Sequence, residues 1–587
     1  MSEDLHYGPF YQEVSQIIGS HYYSTATTLM ALLLMFILVC WTLFFSEKDT
    51  QSNRKSNVVF IGLGILTLFI FRSLTFYQDL CNPDEGMHLT AVLNILSDSR
   101  LWISADTTTL GPICYLLIAF VCHVIRFIGI DCDVTFFLCR FINTMLIIGT
   151  FCFFYRICIK NLSLKLSRVI CLFFIFFFAF NYHFDLQAYN TESVYVFLIT
   201  VIIYLTFKIK TNINYWLIVL TGVLCGLLPY VKLQTIPMAF VCILWILYTI
   251  WDISRTYSTP ATRLITKRCI VFLVAILIPT ILLVIYCSAY EHGLSRAYLC
   301  YVKNASAHVT PLFSTLWLYN SCKAFYFFAS QGWYNSLFIL IMLSMTLFIF
   351  VRPKWTSDWF FSFLLVLLSL FAVVRVGSPF QHYMLFLSIP SLLFLITTLR
   401  IVFRSVNTHS SNFFAKIGNF LKQEHRLSIF LVILWLFLFR GFAGNVREQT
   451  LSTDSLVGNN KRFSDISRII MQQTTPDDYI LVWGWEMRIH VYTNRRSATA
   501  QSNIERIWGN KYKNYPHENV DNFIHDIKTN KPKLIVDVVA PRSFGFEEEK
   551  YALENHTEVW GAIKNDYELT DIYPVDGGSF KIYTRKK

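Results

Sequence analysis

The chain contains 587 residues, of which 55% are hydrophobic and 15% are charged, with 54 Phe, 31 Tyr and 14 Trp. A soluble protein of this composition would have too little polar surface, so the sequence predicts a polytopic α-helical membrane protein. The formal net charge is +12, and the basic residues cluster at the ends of apolar runs. This distribution is typical of positive-inside loops and excludes a nucleic-acid-binding surface as its explanation. The 15 cysteines show no metal-ligand spacing, and we expect no cofactor.

Apolar segments long enough to cross a bilayer occupy residues 27–443, after an acidic and aromatic head at residues 1–26. By length they predict about 11–13 transmembrane helices. The candidate segments are Thr27–Phe45, Val58–Phe76, Leu110–Ile130, Val134–Ile159, Val169–Tyr182, Ser193–Phe207, Tyr215–Tyr230, Thr235–Trp251, Cys269–Tyr290, Ser336–Val351, Trp359–Val374, Tyr383–Val402 and Leu427–Phe442.

The loop at residues 77–109 is acidic, whereas the loop before it and several later loops are basic. The positive-inside rule therefore predicts that the acidic loop lies outside. The same rule, applied backwards from the basic pair Lys267-Arg268, puts both ends of Leu110–Ile130 outside. Two interpretations stay open. Either this segment enters and leaves on one side, or a weaker segment such as Val169–Tyr182 does not cross.

The acidic loop contains the motif Asn82-Pro83-Asp84-Glu85-Gly86-Met87-His88. Asn82 is suited to cap a helix that starts at Pro83, and Glu85 stands where it can reach back to the N-cap N–H. We expect a short amphipathic helix lying along the membrane surface. Asp84 and Glu85 fall in its first turn, where the helix dipole favours ionised carboxylates that can act as bases. The alternative is that the two carboxylates only cap the helix.

Several ionisable residues stand at or within the apolar segments, where charge is costly. We expect them to face a polar cavity or one another, and snorkelling from a helix end is the alternative for some of them. Lys232 joins two apolar runs without a soluble loop, so it is a natural partner for a phosphate. Arg375 and His382 would supply positive charge at a second position. The full set is Arg126, Arg140, Asp185, Glu192, Lys232, Arg375 and His382.

The chain has two further regions outside the apolar segments. Residues 291–333 are rich in Tyr, Trp and His, which suits an interfacial loop with embedded helices. Residues 444–587 are more polar, and short apolar runs alternate there with helix-like stretches, which predicts a soluble α/β domain on the same side as the acidic loop. The stretch Trp483–Glu486 suits sugar stacking, but a buried strand and a turn explain it better.

A set of short motifs occurs in a recognisable order over roughly residues 58–404. The motifs are Asp84-Glu85, Gly111-Pro112, Cys139-Arg140-Phe141, Thr191-Glu192, Gly226 to Lys232, and Pro379-Phe380-Gln381-His382-Tyr383 followed by Pro390. This order resembles the GT-C superfamily of membrane glycosyltransferases. More narrowly, it is similar to the bacterial branch related to protein O-mannosyltransferases, aminoarabinose transferases and Rgt-type galacturonosyltransferases.

The resemblance implies that a sugar moves from a polyprenyl-phosphate donor to a lipid, glycan or protein acceptor, with inversion at the sugar. It implies a multi-pass protein in the bacterial cytoplasmic membrane, with the active site and the C-terminal domain outside. By analogy Asp84 would be the base or the acceptor-orienting carboxylate, and Glu85 its neighbour. The expected contacts to the donor phosphate are Lys232, Arg375 and His382, and the other candidates for the site are His88, Arg140 and Glu192.

The chain departs from this family pattern in three places. Thr27–Phe45 is an additional leading helix, Glu192 stands where many relatives carry Asp, and His88 matches no motif. A divalent metal between the carboxylates and His88 is left open without support from ligand spacing. Two other functions also stay open: a lipid-linked-sugar flippase or transporter, whose buried charges would line a pathway, and an assembly protein without catalysis.

Overall fold

The structure is a computed structural model that describes most of the chain. The described residues are 13–14, 16–17, 20–45, 50–79, 82–181, 183–257, 261–309, 311–330, 334–377, 380–405, 423–440, 460–508 and 515–587. The head at residues 1–26 and the start of the C-terminal domain at residue 444 therefore lie largely outside the described residues.

Helices make up the region before residue 441. They are α1 His21–Phe44, α2 Thr50–Ser73, α3 Pro83–Ile95, α4 Pro112–Phe127, α5 Phe136–Asn161, α6 Leu164–Phe180, α7 Phe184–Gln187, α8 Thr191–Ile209, α9 Tyr215–Val231, α10 Ile236–Tyr257, α11 Ala261–Ser288, α12 Gly293–Ala297, α13 Asn304–His308, α14 Thr315–Ser330, α15 Asn335–Val351, α16 Ser357–Arg375, α17 Leu385–Ser405 and α18 Glu424–Leu438. A π-helical segment, Tyr298–Lys303, joins α12 to α13.

Each apolar segment predicted from the sequence coincides with one of these helices. Within the described ranges, eight helices are long and apolar enough to cross a membrane, or nine if α14 and α15 count as one bent span. Two further apolar helices, α4 and α9, are shorter. The protein is therefore a polytopic α-helical membrane protein. Helices also occur within residues 291–333, and their interfacial location stays a prediction.

The centre of the bundle is the apolar stretch Gln381–Ser405, in which 94% of an 18-residue apolar window is buried inside the protein. At the opposite extreme, only 17% of Arg263–Ser288 is buried, and its exposed Ile and Leu side chains suit contact with lipid. This outer helix packs closely on α9. The two helices approach so closely that a Cβ added at Gly226 would lie 2.1 Å from the carbonyl oxygen of Ile276. Small residues at such a crossing let two membrane helices approach.

Helix α3 begins as the sequence predicted, with Asn82 as N-cap and Pro83 at the first helical position. The Asn82 side chain accepts a hydrogen bond of 2.8 Å from the Asp84 N–H. The expectation of an amphipathic helix along the membrane surface is wrong, because every residue from Glu85 to Ile95 is buried. The reason is that the C-terminal domain covers the side of α3 that the membrane helices leave open.

The C-terminal domain contains a five-stranded sheet in the order β2-β1-β3-β5-β4. Strands β1, β2 and β3 are parallel, whereas β5 and β4 form an antiparallel hairpin at one edge. The α/β prediction is correct. The strands and helices are β1 Tyr479–Trp483, β2 Arg496–Ser497, β3 Leu534–Asp537, β4 Tyr567–Val575, β5 Gly578–Arg585, α19 Lys461–Gln473, α20 Arg488–Thr493, α21 Glu505–Trp508, α22 Glu518–Asn530 and α23 Thr557–Ile563.

Buried polar contacts fasten the C-terminal domain to the acidic loop. Arg506 Nη1 lies 2.5 Å from Asp106 Oδ2, and both side chains are almost fully buried. Asn94, near the end of α3, donates to the carbonyl oxygen of Ser497 and accepts from its N–H. Arg488 Nη1 lies 2.6 Å from Asp79 Oδ2. These contacts fix the C-terminal domain against α3 and the loop segments on either side of it.

Candidate functional site

Asp84 belongs to a buried polar cluster that three separate segments build. Asn82 Nδ2 donates to Asp185 Oδ1 over 2.8 Å and lies 3.4 Å from His382 Nδ1. His382 stands in a 3-10 turn just before α17, and Asp185 stands in the short helix α7. The His382 ring bridges two carboxylates: Nδ1 is 3.4 Å from Asp185 Oδ2, and Nε2 is 3.9 Å from Asp84 Oδ2.

The environment of Asp84 differs from the one expected at a helix N-terminus. Its side chain is only 17% exposed, and burial raises the pKa of its carboxyl above the usual range, although His382 and Lys232 act in the opposite direction. Burial, which favours the protonated form, is the largest influence on this pKa, whereas the sequence-based expectation considered only the helix dipole. A carboxyl with a raised pKa holds a proton more firmly, which suits a general base.

Asp185 shows the opposite behaviour within the same cluster. Burial by itself would raise its pKa, but the hydrogen bond with His382 and the charges of His382 and His183 bring the pKa below its ordinary value. Asp185 is therefore the more firmly ionised of the two carboxylates that His382 bridges. Neighbouring carboxylates whose environments move their pKa values apart are a common arrangement in acid–base sites.

Lys232 lies next to this cluster and pairs with Glu192. Lys232 Nζ lies 2.7 Å from Glu192 Oε1 and 4.4 Å from the centre of the Tyr383 ring. Thr191 Oγ1 donates to Glu192 Oε2 over 2.9 Å. Both charged side chains are buried, Lys232 at the end of α9 and Glu192 at the start of α8. The sequence predicted Lys232 and Glu192 separately, and the structure brings them together.

A close backbone approach holds Lys232 in place. Leu110 and Lys232 form an isolated antiparallel bridge, and the Gly111 N–H donates to the carbonyl oxygen of Val231 over 3.0 Å. A Cβ at Gly111 would stand 1.9 Å from the carbonyl oxygen of Tyr230. Glycine is therefore required at the start of α4, because any side chain would push the two segments apart.

Glu85 points away from Asp84. The capping-box pattern predicted that its side chain would reach back to the N-cap N–H, but it does not. Instead Arg140 donates to both of its oxygens, from Nε over 3.0 Å and from Nη2 over 2.7 Å. The Tyr189 N–H donates to Glu85 Oε1 over 2.8 Å. Arg140 also donates to the carbonyl oxygens of Thr75, Gln78 and Asp79. The buried Arg140 is therefore fully coordinated and ties α5 to the acidic loop and to α3.

His88 is fully buried one turn after Asp84, and its ring lies edge-on to Tyr189 with centroids 5.7 Å apart. Burial lowers the pKa of its imidazole to about 3, so the ring is neutral. Among the described residues, neither ring nitrogen has a hydrogen-bond partner. Leaving such a group unsatisfied costs about 1–3 kcal/mol, so the position of His88 calls for an explanation beyond packing.

Arg375 ends α16 and is half-buried, and its carbonyl oxygen accepts a hydrogen bond from Trp317. The structure records no contact between its side chain and Asp84, Lys232 or His382, so its predicted part in the site stays a prediction. Within the described ranges, no group of three or more His, Cys, Asp and Glu side chains is arranged to hold a metal ion. The open possibility of a divalent metal at His88 gains no support from this geometry.

Asn82, Asp185 and Tyr383 belong to the cluster but were given no role in the predicted site, although Asp185 was among the ionisable residues expected to face a polar cavity. Asp185 stood out in the sequence as a charge beside an apolar run, yet it carries no motif of its own. Asn82 was explained by helix capping, which uses its side-chain oxygen and leaves the amide nitrogen for Asp185. Tyr383 gave no signal besides standing next to His382. These residues are recognisable only once the three segments are seen together.

Two solved structures of one protein have a fold similar to that of this chain. ArnT from Cupriavidus metallidurans bound to undecaprenyl phosphate matches with a TM-score of 0.52 at 12% identity, over 89% of this chain and 97% of the other. Its apo form matches with a TM-score of 0.51 at 10% identity, over 90% and 98%. An oligosaccharyltransferase from Archaeoglobus fulgidus, tethered to an acceptor peptide, reaches a TM-score of 0.44 at 13% identity, over 89% and 74%. No protein-family model and no curated protein matches the sequence.

The structure combines a bundle of membrane helices, an α/β domain docked on it and a buried cluster of charged residues. The chain has the GT-C fold, in agreement with the resemblance drawn from its motifs. The match to ArnT extends over nearly the whole of both chains, so the C-terminal domain is part of the shared architecture.

Proposed function

We propose that this protein is an integral membrane glycosyltransferase that moves a sugar from a polyprenyl-phosphate donor to an acceptor outside the cytoplasmic membrane. The observation that supports this proposal most directly is the pairing of Asp84 with His382 beside the buried Lys232. A base and a phosphate-binding cation are the two groups that such a transfer requires. The shared fold adds support, because ArnT in that structure holds undecaprenyl phosphate.

In the proposed reaction Asp84 takes the proton of an acceptor hydroxyl. The oxygen of that hydroxyl forms a bond to the anomeric carbon of the sugar, and the bond between this carbon and the phosphate oxygen breaks. The electron pair of the broken bond leaves with polyprenyl phosphate. Because one displacement occurs at the anomeric carbon, the configuration inverts. His382 and Asp185 hold the Asp84 side chain in a single orientation for this step.

Lys232 stabilises the negative charge that develops on the departing phosphate. Its pairing with Glu192 keeps the ammonium charged and fixed inside the protein before the donor arrives. The Tyr383 ring below the ammonium limits its movement further. A preorganised cation in a site that excludes water stabilises charge far better than the same cation in solvent. We place His382 as a second contact to the donor phosphate and Arg375 at the edge of the site.

Glu85 and Arg140 act as positioning residues in this proposal. Both Glu85 oxygens already accept hydrogen bonds from Arg140, and the pair is fully buried. The pair fixes the first turn of α3, so that Asp84 faces His382 while Glu85 faces the opposite way. His88 lies one turn further along α3, where its neutral ring nitrogens are suited to hydrogen-bond a sugar hydroxyl.

The test compares the surface glycans and lipid A of a deletion strain complemented with wild type, Asp84→Asn or Asp576→Asn, by mass spectrometry at equal membrane expression. Asp576 is a matched control because its side chain is 83% exposed on the C-terminal domain. We expect one sugar to disappear in the deletion strain and to return with wild type and Asp576→Asn only. Restoration by Asp84→Asn would contradict the proposal.

A lipid-linked-sugar flippase or transporter is the alternative, and restoration of the sugar by Asp84→Asn in the strains above would favour it. The role of Lys232 is tested separately with purified proteins. Undecaprenyl phosphate is added to purified wild type, Asp84→Asn and Lys232→Met, and its binding is measured. A transferase with these roles keeps donor binding in Asp84→Asn and loses about tenfold in Lys232→Met, since one lost contact of about 1.4 kcal/mol changes a Kd tenfold. Equal binding by all three proteins would show that Lys232 does not contact the donor phosphate.

A further inference from the structure

A cleft of about 730 Å³ opens between the C-terminal domain and the acidic loop, away from Asp84. Three segments form its walls: residues 94–104 after α3, residues 291–303 including α12 and the π-helical segment, and parts of the C-terminal domain around α22. Asn94 lies on its wall, ten residues after Asp84 in the same helix. At about 1.5 Å per residue the cleft begins roughly 15 Å from the Asp84 backbone.

Serine, threonine and asparagine side chains line the cleft alongside charged ones, and their hydroxyl and amide groups exchange hydrogen bonds with other polar groups without carrying charge. Tyr298 adds an aromatic ring that is 61% exposed and begins the π-helical segment. Such rings stack on apolar C–H faces, while the hydroxyl and amide groups around them bind polar substituents. The hydroxyl and amide residues include Ser97, Ser104, Ser295, Thr499, Asn522 and Thr529. This combination suits a polyhydroxylated ligand.

The charges in the lining argue against a phosphorylated ligand. The cleft is lined by five carboxylates, Asp98, Glu291, Glu518, Asp521 and Asp526, and by only three Arg and Lys side chains. Each of those three cations already has a carboxylate partner, at 2.7 Å for Arg100–Asp98, 3.1 Å for Arg296–Asp526 and 2.7 Å for Lys303–Glu518. A phosphate would therefore enter a region of net negative charge.

The backbone beside the cleft is not open to an extended peptide. Strand β2 stands at the edge of the sheet, where an added strand would need unpaired N–H and C=O groups. The Ser497 N–H donates to Asn94, the Ala500 N–H donates to Asp526, and the Ala500 carbonyl oxygen accepts from the Asp106 N–H. The loop and α3 therefore already occupy this edge, and the open surface of the cleft consists of side chains.

We propose that this cleft binds an uncharged oligosaccharide and that it anchors the body of a glycan acceptor whose end reaches Asp84. The proposal rests on the proposed function and narrows its acceptor to a neutral glycan. The acceptor chain lies against Tyr298 and the face of α22 that carries Asn522 and Thr529. Because the site stands apart from the reacting carboxylate, the cleft determines which glycan is bound and how tightly, while Asp84 and Lys232 determine the chemistry.

The experiment measures binding of full-length protein in detergent to an array of neutral hexose and N-acetylhexosamine oligosaccharides together with phosphorylated glucosamine disaccharides. The variants are Tyr298→Ala, which removes the ring, and Ser295→Trp, which fills the cleft from an exposed position. Lys528→Ala is the matched control, since Lys528 is exposed on α22 but does not line the cleft.

We expect wild type and Lys528→Ala to bind the same neutral glycan, and both cleft variants to bind it at least tenfold more weakly. Binding of phosphorylated glycans alone, of no glycan, or of neutral glycans equally by the cleft variants overturns the proposal. Thermal unfolding in detergent shows whether every variant is folded. Failure of the transferase proposal would appear separately, as unchanged sugar transfer by Asp84→Asn, whatever the array shows.

Discussion

Glu85 and Arg140 form a buried ion pair in which Arg140 Nη2 lies 2.7 Å from Glu85 Oε2 and neither side chain has any exposed surface. The pair joins α3 to α5 across 55 residues of sequence. Two adjacent carboxylates therefore have different surroundings: Glu85 is held by a guanidinium and a backbone N–H, and Asp84 faces His382 and Lys232. The ion pair therefore gives Glu85 a structural role and leaves Asp84 as the carboxylate proposed for the chemistry.

Replacing Arg140 by Ala should destabilise the protein severely. It leaves the Glu85 carboxylate and three carbonyl oxygens buried without their partner, and breaking such a pair costs about 3–5 kcal/mol. Arg156→Ala on the same helix is the control, because Arg156 is exposed. The measurement is thermal unfolding in detergent with folded yield. A loss no larger than that of the control would show that the pair does not hold α3.

The rate of sugar transfer should fall at low pH. The midpoint of this fall should lie at a higher pH than it would for a base that is an exposed aspartate. Asp84 works as a base only when ionised, and burial raises the pKa of its carboxyl above 3.8. The positive charge of His382 opposes this shift, so His382→Gln should move the acidic limb to still higher pH. The check is kcat/KM as a function of pH for both proteins. A limb that stays in place in His382→Gln argues against contact between the two groups.

Gly111→Ala should displace the segment that holds Lys232 and so weaken donor binding. The added Cβ would stand 1.9 Å from the Tyr230 carbonyl oxygen and would push apart the bridge that holds Lys232. We expect about a tenfold higher Kd for undecaprenyl phosphate, which corresponds to about 1.4 kcal/mol. Gly62→Ala is the control, because nothing lies within 4 Å of a Cβ there. Equal binding by both variants would mean that the bridge does not position Lys232.

Arg506→Ala should loosen the C-terminal domain from the membrane region. It leaves the buried Asp106 carboxylate without its partner at 2.5 Å, a loss of about 3–5 kcal/mol. Arg542→Ala should have little effect, because its pair with Asp576 is exposed and such pairs contribute about 0–1 kcal/mol. Limited proteolysis of the full-length proteins measures the difference. Cleavage of Arg506→Ala at the wild-type rate would exclude a role for this pair in docking.

The elements of this fold could largely be predicted from the sequence, because their signals are local. Apolar runs marked the helices, and Asn82-Pro83 marked the start of α3, since capping and the fixed φ of proline act within a few residues. Alternating apolar runs after residue 444 marked the α/β domain. The motif order also led to Asp84, Lys232 and His382, which the structure places together.

The partners of these residues were decided by the tertiary structure alone. Successive residues of a helix point about 100° apart, so only the packing around α3 determines that Asp84 faces His382 and Glu85 faces Arg140. The burial of α3 likewise depends on a domain whose contacts come from 400 residues later, as in the pair Asp106–Arg506. Asp185 and the cleft beside Tyr298 are products of the same long-range packing. Sequence periodicity reports which face of an element is apolar, but the free energy that selects its neighbours comes from groups far apart in the chain.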